Sequence, residues 1–237
     1  MISVIVPCRN EEEHIVDNIK EIISTLTKLG HEHEIIIVDD CSNDDTYLVS
    51  AMELKTEHNV RIFRKVMQQG KGSAIKTGWK FALGDYVAVM DADLQILPAE
   101  IETFFKIMNL YGADVVVGNK RHSYSNTDYT FLRKIVSAGY RFLVFALFGL
   151  RLRDTQCGFK LFTKEAMDLV MHKILCKQFA FDLELIVALR ENNVRIADAP
   201  VTVRKSLGRG SVSRKTILDT AQNTLAIWWR KQKKWYR

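Results

Sequence analysis

Short apolar runs alternate with stretches of helical periodicity along the first half of the chain. The runs are rich in Val and Ile, and they predict strands at residues 2–6, 34–39, 60–64, 85–90 and 114–118. Between them, apolar positions three or four residues apart predict helices at 11–28, from about 44, at 71–83 and from Pro98. Strands that alternate with helices in this way indicate an α/β fold with a largely parallel sheet, covered by helices on both faces.

The pattern changes after Gly118. A polar loop at 119–130 precedes a helical stretch at 131–150 that is rich in aromatic and aliphatic side chains. This stretch is typical of a core helix, although the cations within it also suit a helix at a membrane interface. The remaining segments predict a compact loop, two helices, a strand pair and a final basic amphipathic helix, at 153–160, 163–173, 181–192, 194–203 and 213–232.

The chain shows no internal repeat and no low-complexity linker, so we expect one α/β domain at 1–203. Residues 204–237 form a distinct basic segment with ten Lys or Arg and one acidic residue, and they account for the net charge of +6. Basic segments of this kind bind nucleic acid, anionic lipid or phosphorylated ligands, or are solvated.

The composition, 47% apolar and 26% charged, is that of a globular protein with a full core. The longest apolar run near the middle, at 142–150, is shorter than the roughly 20 residues that a transmembrane helix needs. The N-terminus lacks the features of a secretory signal, and the four cysteines lack metal-binding spacing. We therefore expect a cytoplasmic protein with reduced thiols.

Polar residues follow four of the predicted strands. Ligands of open α/β sheets bind at the carboxyl ends of the strands. The first, second, fourth and fifth strands are followed by polar segments at 7–11, 39–40, 91–95 and 118–121. One rim of the sheet therefore gathers carboxylates and cations, which is the arrangement that a metal-bound phosphate ester requires.

The segment Asp91-Ala92-Asp93-Leu94-Gln95 carries the most specific signal. In an extended chain Asp91, Asp93 and Gln95 point to one face. Their oxygens suit Mg²⁺ or Mn²⁺, with a diphosphate completing the coordination shell. The alternative is that one aspartate caps the following helix and the other is solvated. The position of the pair directly after a buried strand favours the metal site.

Asp39 and Asp40 allow two interpretations. They can accept hydrogen bonds from a nucleoside, or they can belong to the start of the following helix, where Asp is common. A Ser-x-x-Asp capping box that begins at Ser42 would leave both aspartates available to a ligand.

Two predicted helices begin with charged residues. The Gly-Lys-Gly-Ser turn at 70–73 can bring Lys71 and a helix N-terminus near phosphates, or it can be a plain helix entry. The acids Asp182 and Glu184 lie in the first turn of an apolar helix, where compensation of the helix dipole explains them.

Several motifs resemble those of family 2 glycosyltransferases, which have the Rossmann-like GT-A fold. They are Val4-Ile5-Val6-Pro7-x-x-Asn10-Glu11, Val38-Asp39-Asp40-x-Ser42-x-Asp44 and Asp91-Ala92-Asp93-x-Gln95. Two more are similar to motifs of the dolichyl-phosphate β-glucosyltransferases and dolichyl-phosphate mannose synthases within that family. They are Arg153-Asp154-Thr155-Gln156-Cys157-Gly158-Phe159-Lys160-Leu161-Phe162 and Phe179-Ala180-Phe181-Asp182-x-Glu184. The resemblance covers about residues 2–204.

The resemblance implies an inverting transfer of a hexose from a UDP-sugar or GDP-sugar to a polyprenyl or dolichyl phosphate. It implies a nucleotide site made by Pro7, Arg9, Asn10, Glu11, Asp39, Asp40, Lys71, Asp91 and Ala92. Asp91, Asp93 and Gln95 would serve the metal, Mg²⁺ or Mn²⁺, and the donor diphosphate.

The acceptor phosphate would be held by Lys120 or Arg121 together with Arg133. An acceptor phosphate is already an anion near neutral pH, so it needs positioning by cations rather than a strong general base. Family members carry a Gly-x-Ser-Lys element after the last strand, whereas here Ser211 is followed by Val212. The candidates for the missing cation are Arg204, Arg209 and Arg214.

The segment at 153–162 favours glucose from UDP-glucose, and mannose from GDP-mannose is the alternative. Two other functions remain open: a glycosyltransferase acting on a saccharide or lipid hydroxyl, and a non-catalytic module that binds nucleic acid or membranes. The cations at the rim favour the phosphate acceptor, and we expect no nucleic-acid partner. Because that acceptor is a lipid, we expect a peripheral protein on the cytoplasmic face of a membrane. The helix at 131–150 and the basic C-terminus would make the contact, and residues 228–237 of that C-terminus hold three tryptophans and five cations.

Overall fold

The computed structural model describes residues 1–120, 139–140, 143–150, 157–178, 180–204 and 214–237, with the backbone alone for 214–218. In these ranges the strands are β1 (Ile2–Cys8), β2 (His33–Asp39), β3 (Val60–Arg64), β4 (Tyr86–Val89), β5 (Val115–Asn119), β6 (Lys160–Thr163) and β7 (Ile196–Pro200). The helices are α1 (Ile15–Lys28), α2 (Thr46–Glu53), α3 (Lys71–Trp79), α4 (Ile101–Tyr111), α5 (Lys164–Met171), α6 (Ala180–Glu191) and α7 (Arg214–Gln232).

The described strands form one sheet in the order β3-β2-β1-β4-β6-β5-β7. β1 pairs in parallel with β2 and β4, β2 with β3, and β5 with β7. β6 is antiparallel to both of its neighbours, β4 and β5. The predicted α/β class with a mostly parallel sheet flanked by helices is confirmed.

The centre of the sheet explains the continuous apolar runs. Every residue of β1 is buried, and so are the last six of the seven residues of β2. Strands that are covered by helices on both faces have no solvent side and therefore no alternation of polar and apolar positions. α1 covers the sheet through Ile15, Ile19 and Ile22, which recur at helical spacing and are fully buried.

Two strand predictions were wrong. β6 lies in a region predicted as a loop followed by a helix, because its four residues are too few to show a pattern. The predicted strand pair at 194–203 is a single strand, β7, whose parallel partner is β5. Past its end, Val203 makes only an isolated antiparallel bridge to Ile96.

The helix starts also differ from the predictions. The first helix begins at Ile15 rather than at residue 11, since residues 11–14 form a turn. The capping box at Ser42 is wrong: α2 begins at Thr46, and the Ser42 hydroxyl donates to Asp39. Pro98 does open a helical segment, a 3₁₀ turn that leads into α4.

α7 packs against the rest of the described chain. Ile227, Thr224 and Tyr236 are fully buried, and α7 lies along α6. In the predicted helix at 131–150 the described residues 143–148 are helical, with Val144 and Phe148 buried. Among the described residues no helix has the length and apolarity to cross a membrane.

Candidate active site at the carboxyl edge of the sheet

The polar segments that follow β1, β2, β4 and β5 lie at one edge of the sheet. The register of the parallel strands aligns them, since Cys8 at the end of β1 faces Asp39 at the end of β2. β6 runs the other way, so its first residue, Lys160, lies at the same edge. An antiparallel strand thereby adds a cation to a rim that parallel strands supply with carboxylates.

The segment after β4 is a turn, not the extended chain that the sequence predicted. The amide of Leu94 donates to the carbonyl of Asp91 at 3.1 Å, and Leu94 has a φ of 42°. The amide of Gln95 donates to the Asp93 carboxylate at 3.2 Å. As a result Asp91 and Gln95 line a small cavity at the sheet edge, and Asp93 is not part of its lining.

Three lysines surround the Asp91 carboxylate. Lys71, the first residue of α3, forms an ion pair with it, and each side chain is about one third exposed. Burial favours the neutral form of Asp91, but Lys71, Lys160 and Lys120 outweigh it and hold its pKa below the usual range. Burial likewise opposes the charge of Lys71, and Asp91 and Asp182 outweigh it and raise its pKa. Both groups are therefore charged at neutral pH.

Gly158 makes the close approach to Asp91 possible. A Cβ atom at this position would lie 1.9 Å from the Asp91 Oδ2 atom, which is less than any real contact. The residue lies in the turn that precedes β6 and lines the same cavity. Only glycine leaves space for a carboxylate in this place.

Lys120 closes the cavity on the side of β5. Its ammonium group donates to the Gln95 side-chain oxygen at 3.0 Å. The neighbouring Asn119, the last residue of β5, donates to Asp198 at 2.7 Å and ties this strand end to β7. The predicted phosphate-binding cation Lys120 is thus at the rim, within reach of the Asp91 turn.

The segment after β1 is a polar turn fastened to the start of α2. Pro7 is buried within β1, and Arg9 is exposed. Asn10, with a φ of 54°, accepts from the amide of Asn43 at 3.0 Å. The amide of Glu11 donates to the Thr46 hydroxyl at 2.8 Å. The turn leaves backbone and side-chain groups along the rim beside β2.

Asp39 and Asp40 both accept hydrogen bonds from other groups of the protein. Asp39 is fully buried and accepts from the amide of Ser42 at 3.1 Å and from its hydroxyl, with Arg64 Nε at 3.4 Å. The Asp39 carboxylate thus stabilises the turn after β2. It binds the Ser42 hydroxyl that was predicted to cap the following helix.

Asp40 organises the start of α3. It accepts from the ammonium of Lys65 at 2.9 Å and from the amides of Gln69 at 3.0 Å and Gly70 at 2.6 Å. Its side chain is 5% exposed. The bond to Gly70 fixes the residue directly before Lys71, so Asp40 orients the lysine that pairs with Asp91.

Of the predicted phosphate-binding groups, Arg204 is described, and it is engaged elsewhere. Its guanidinium pairs with Glu21, and its amide donates to the carbonyl of Gln95 at 2.8 Å. Arg121, Arg133, Arg209 and Ser211 lie outside the described residues, as does the side chain of Arg214. The hydrogen bond from the Arg204 amide to the Gln95 carbonyl fixes the end of the turn that follows β4.

The sequence reasoning missed Lys160 and misread Asp182. The ammonium of Lys160 donates to Asp182 at 2.7 Å and to the carbonyl of Cys157 at 2.6 Å, and its side chain is 2% exposed. Helix-dipole compensation does not account for Asp182, nor for Glu184, which accepts from the amides of Leu175 and Cys176. The sequence did show Lys160 as the one charged residue in the segment 157–162. Its partner Asp182 could not be predicted, because it lies on a different element, α6.

The donor set at the cavity suits a hard divalent cation with ligands from elsewhere. Asp91 and Gln95 offer a carboxylate and an amide oxygen, the atoms that Mg²⁺ and Mn²⁺ prefer. The described residues contain no group of three or more His, Cys, Asp or Glu side chains placed to hold a metal by themselves. A cation here needs phosphate oxygens from a ligand to complete its shell.

Residues 3–170 match the sequence model of the family described as glycosyl transferase family 2. The chain belongs to glycosyl transferase family 2. The match spans the sheet edge from the turn after β1 to the turn before β6, and it ends within α5.

Within the family, the chain is similar to curated dolichyl-phosphate β-glucosyltransferases. It is 30% identical over 216 residues to the enzyme of Dictyostelium discoideum, a match that covers 84% of this chain and 65% of the relative. It is 31% identical over 214 residues to the enzyme of Homo sapiens, covering 84% of this chain and 66% of that one. The chain thus spans just under two thirds of the length of these relatives.

Solved structures show the same fold at low identity. Glucosyl-3-phosphoglycerate synthase from Mycobacterium tuberculosis in complex with UDP has a TM-score of 0.68 at 18% identity, covering 97% of this chain and 80% of that one. The same enzyme with Mn²⁺ and UDP-glucose has a TM-score of 0.67 at 19% identity, covering 96% and 77%. Mannosyl-3-phosphoglycerate synthase from Rubrobacter xylanophilus has a TM-score of 0.65 at 16% identity, covering 99% and 74%.

Proposed function

We propose that this family 2 chain transfers a hexose, glucose from UDP-glucose, to a polyprenyl or dolichyl phosphate with inversion at the anomeric carbon. The observation that carries the proposal is the charged edge of the sheet: Asp91 is enclosed by Lys71, Lys120 and Gly158. The 30% identity to dolichyl-phosphate β-glucosyltransferases supports the choice of sugar and acceptor.

The donor diphosphate needs positive charge around it. Lys71 at the N-terminus of α3 supplies an ammonium group next to the first amides of a helix, where anions are favoured. In this proposal Asp91 and Gln95, which line the cavity, hold Mg²⁺ or Mn²⁺ together with Asp93 from the same turn. When bound, the metal supplies stabilisation of the negative charge on the leaving nucleoside diphosphate.

The nucleoside belongs in this proposal to the turn after β1, which Pro7, Arg9, Asn10 and Glu11 form beside Ala92. The side-chain Nδ2 of Asn18 on α1 donates to the carbonyl of Ala92 at 2.7 Å and fixes the backbone at this point. We assign Asp40 to the donor site through Lys71 rather than through direct contact, because three donors already occupy its two oxygens.

The acceptor step needs little proton transfer. A phosphate oxygen of the acceptor attacks the anomeric carbon, and the bond to the leaving nucleoside diphosphate breaks with its electron pair. Because the acceptor is already an anion, cations must bring it close and aligned, which is worth several kcal/mol. Lys120 is at the rim for this task, and Arg121, Arg133, Arg209 and Ser211 are the other candidates.

The proposal includes peripheral attachment to the cytoplasmic face of a membrane, with the domain at 1–203 and residues 204–237 as the attaching segment. Leu225 and Trp229, one helical turn apart on α7, are 55% and 58% exposed. Lys233 lies over the Trp229 ring at 5.1 Å, so an indole and a cation share this face. Trp235 instead donates to the carbonyl of Lys173 at 2.9 Å and belongs to the domain surface.

A panel of nucleotide sugars tests the donor. The protein is mixed with Mn²⁺ and either UDP or GDP, and its melting temperature is recorded, since a ligand that binds the folded state raises it. Radiolabelled UDP-glucose, GDP-mannose and UDP-N-acetylglucosamine are then compared in the presence of polyprenyl phosphate, and the lipid is extracted. We expect a shift with UDP and label in the lipid from UDP-glucose. A shift with GDP alone, with label from GDP-mannose, would assign mannosyl transfer.

A further inference from the structure

A buried lysine lies behind the active-site carboxylate. Lys160 is the first residue of β6, and its side chain is 2% exposed. Its ammonium donates to the carboxylate of Asp182 at 2.7 Å and to the carbonyl of Cys157 at 2.6 Å. Asp182 lies in the first turn of α6, with a side chain that is 10% exposed.

The ion pair is not explained by stability. Two charges withdrawn from water pay a desolvation penalty that their attraction roughly cancels, and well-packed apolar residues of similar volume are often as stable or more so. The side chains of Lys160 and Asp182 are 2% and 10% exposed, so both charges are withdrawn from water. The stability of the fold does not require such a pair, so its charges call for another role.

The hydrogen bond from Lys160 to Cys157 connects it to the backbone segment that contacts Asp91. The carbonyl that it holds belongs to Cys157, directly before Gly158, and Gly158 is the residue that Asp91 touches. On the other side, Phe159 stacks on Phe104 of α4 with ring centroids 4.5 Å apart. The turn before β6 is thus held at both ends, and the Asp91 carboxylate is seated on it.

We propose that Lys160 is a positioning residue for the donor diphosphate site: through the Cys157 carbonyl and Asp182 it fixes the Gly158 turn on which Asp91 is seated. The inference rests on the proposed function in that it takes the ligand at Asp91 to be a nucleoside diphosphate. Lys160 itself touches neither donor nor acceptor. It sets the orientation of the carboxylate that does.

Removal of the whole pair separates this role from folding. The variant Lys160→Met/Asp182→Leu leaves no charge buried without a partner, so its melting temperature should lie within a few degrees of the parent. If Lys160 positions Asp91, the affinity for UDP or GDP with Mn²⁺ should still fall about tenfold or more. The kcat for hexose transfer should fall about a hundredfold, since a misplacement of about 1 Å has that effect.

A second pair provides the matched control. Lys164 and Asp168 form an ion pair on α5, close to Lys160 in sequence but on the surface, at 25% and 45% exposure. The variant Lys164→Met/Asp168→Leu makes the same chemical change away from the sheet edge. It should bind the nucleotide and turn over like the parent.

If Lys160→Met/Asp182→Leu keeps the nucleotide affinity and the kcat of the parent, the proposal is overturned, because the ion pair would then serve the fold alone. If that double variant does not fold, Lys160→Met/Asp182→Asn takes its place. It also removes both charges, it keeps the shape of the Asp182 side chain, and it should bind the nucleotide about tenfold or more weakly than the parent. Parent-like affinity in this variant would likewise overturn the role of Lys160.

Failure of the proposed function has a different signature. A parent protein that binds UDP or GDP but labels no polyprenyl phosphate contradicts the proposed acceptor, while the binding comparison still decides the role of Lys160. A parent that binds neither nucleotide contradicts both.

Discussion

At the scale of single residues, the central group is the carboxylate of Asp91, which pairs with Lys71 and rests on Gly158. The type and the place of Asp91 were readable from the sequence, since it follows a buried apolar strand. Its orientation was not, because the turn at Leu94 and the contact with Gly158 depend on strands far away in sequence. The same holds for Asp40, whose contacts were not predictable because its partner Lys65 follows β3, 25 residues further along the chain.

The replacement Asp93→Ala tests the metal assignment. The side chain is partly exposed on the rim, and a rim substitution should change the free energy of unfolding by only about 0.5 kcal/mol. Loss of a metal ligand should reduce turnover to about one hundredth of the parent value or less, because the cation supplies several kcal/mol of transition-state stabilisation. Asp17→Asn, an exposed aspartate on α1, is the control. An Asp93→Ala enzyme that keeps metal-dependent turnover would contradict the assignment.

The replacement Gly158→Ala tests whether the seating of Asp91 matters for turnover. The added Cβ would meet Oδ2 of Asp91 at 1.9 Å, so the carboxylate has to move away. A displacement of about 1 Å should lower kcat by about a hundredfold. Gly139→Ala is the control, since its Cβ would meet nothing within 4 Å. Equal kcat in both variants would show that Asp91 tolerates displacement.

At the scale of elements, α6 joins the active site to the C-terminal helix. Its Asp182 pairs with Lys160. Two residues further along α6, the fully buried Glu184 pairs with Arg230 of α7 at 2.8 Å. The hydroxyl of the buried Tyr236 donates to the same carboxylate at 2.7 Å. α7 is therefore fastened to the domain by a buried polar network as well as by Ile227.

The variant Arg230→Met should destabilise the protein by about 3–5 kcal/mol, because it leaves the Glu184 carboxylate buried without its cation. Urea unfolding measures the change. Arg195→Met provides the comparison: Arg195 is 68% exposed in its pair with Asp114, so its loss should amount to about 1 kcal/mol or less. Similar losses in the two variants would mean that the Glu184 network contributes no more than a surface pair.

The elements differ in how far the sequence predicts them. Central strands such as β1 and β2 were predictable, because burial on both faces demands continuous apolar runs. β6 was not, since a four-residue strand gains its hydrogen bonds from β4 and β5, and no local pattern reports such partners. For the same reason the acids of α6 suggested a helix dipole, while their actual partners lie on β6 and α7.

At the scale of the whole molecule, the positive net charge comes from residues 204–237, which hold ten Lys or Arg and one acidic residue. The exposed face of α7 with Leu225 and Trp229 should bind anionic vesicles. Each cation near an anionic leaflet contributes about 1 kcal/mol, and indoles favour the headgroup region. Truncation would remove the buried residues Ile227 and Tyr236, so point variants are the better probe.

The variant Leu225→Ser/Trp229→Ser should sediment with anionic vesicles several times less than the parent, with unchanged melting temperature. Leu48→Ser/Met52→Ser removes two exposed apolar side chains of α2, at 52% and 59% exposure, and should not change sedimentation. High salt should release the parent, since cations contribute to the attachment. Equal sedimentation of parent and α7 variant would show that this face is not the membrane contact.

The most direct test of hexose transfer to a lipid phosphate compares two acceptors that differ only in the phosphate. The protein, Mn²⁺ and radiolabelled UDP-glucose are incubated with either polyprenyl phosphate or the polyprenol of the same length, and the lipid is extracted and counted. Because the rim of the site offers cations and attack by a phosphate anion requires no general base, label should appear in the lipid from polyprenyl phosphate and stay at background with polyprenol. Label on polyprenol at a similar rate would contradict hexose transfer to a lipid phosphate, because the enzyme would then be a transferase to a lipid hydroxyl.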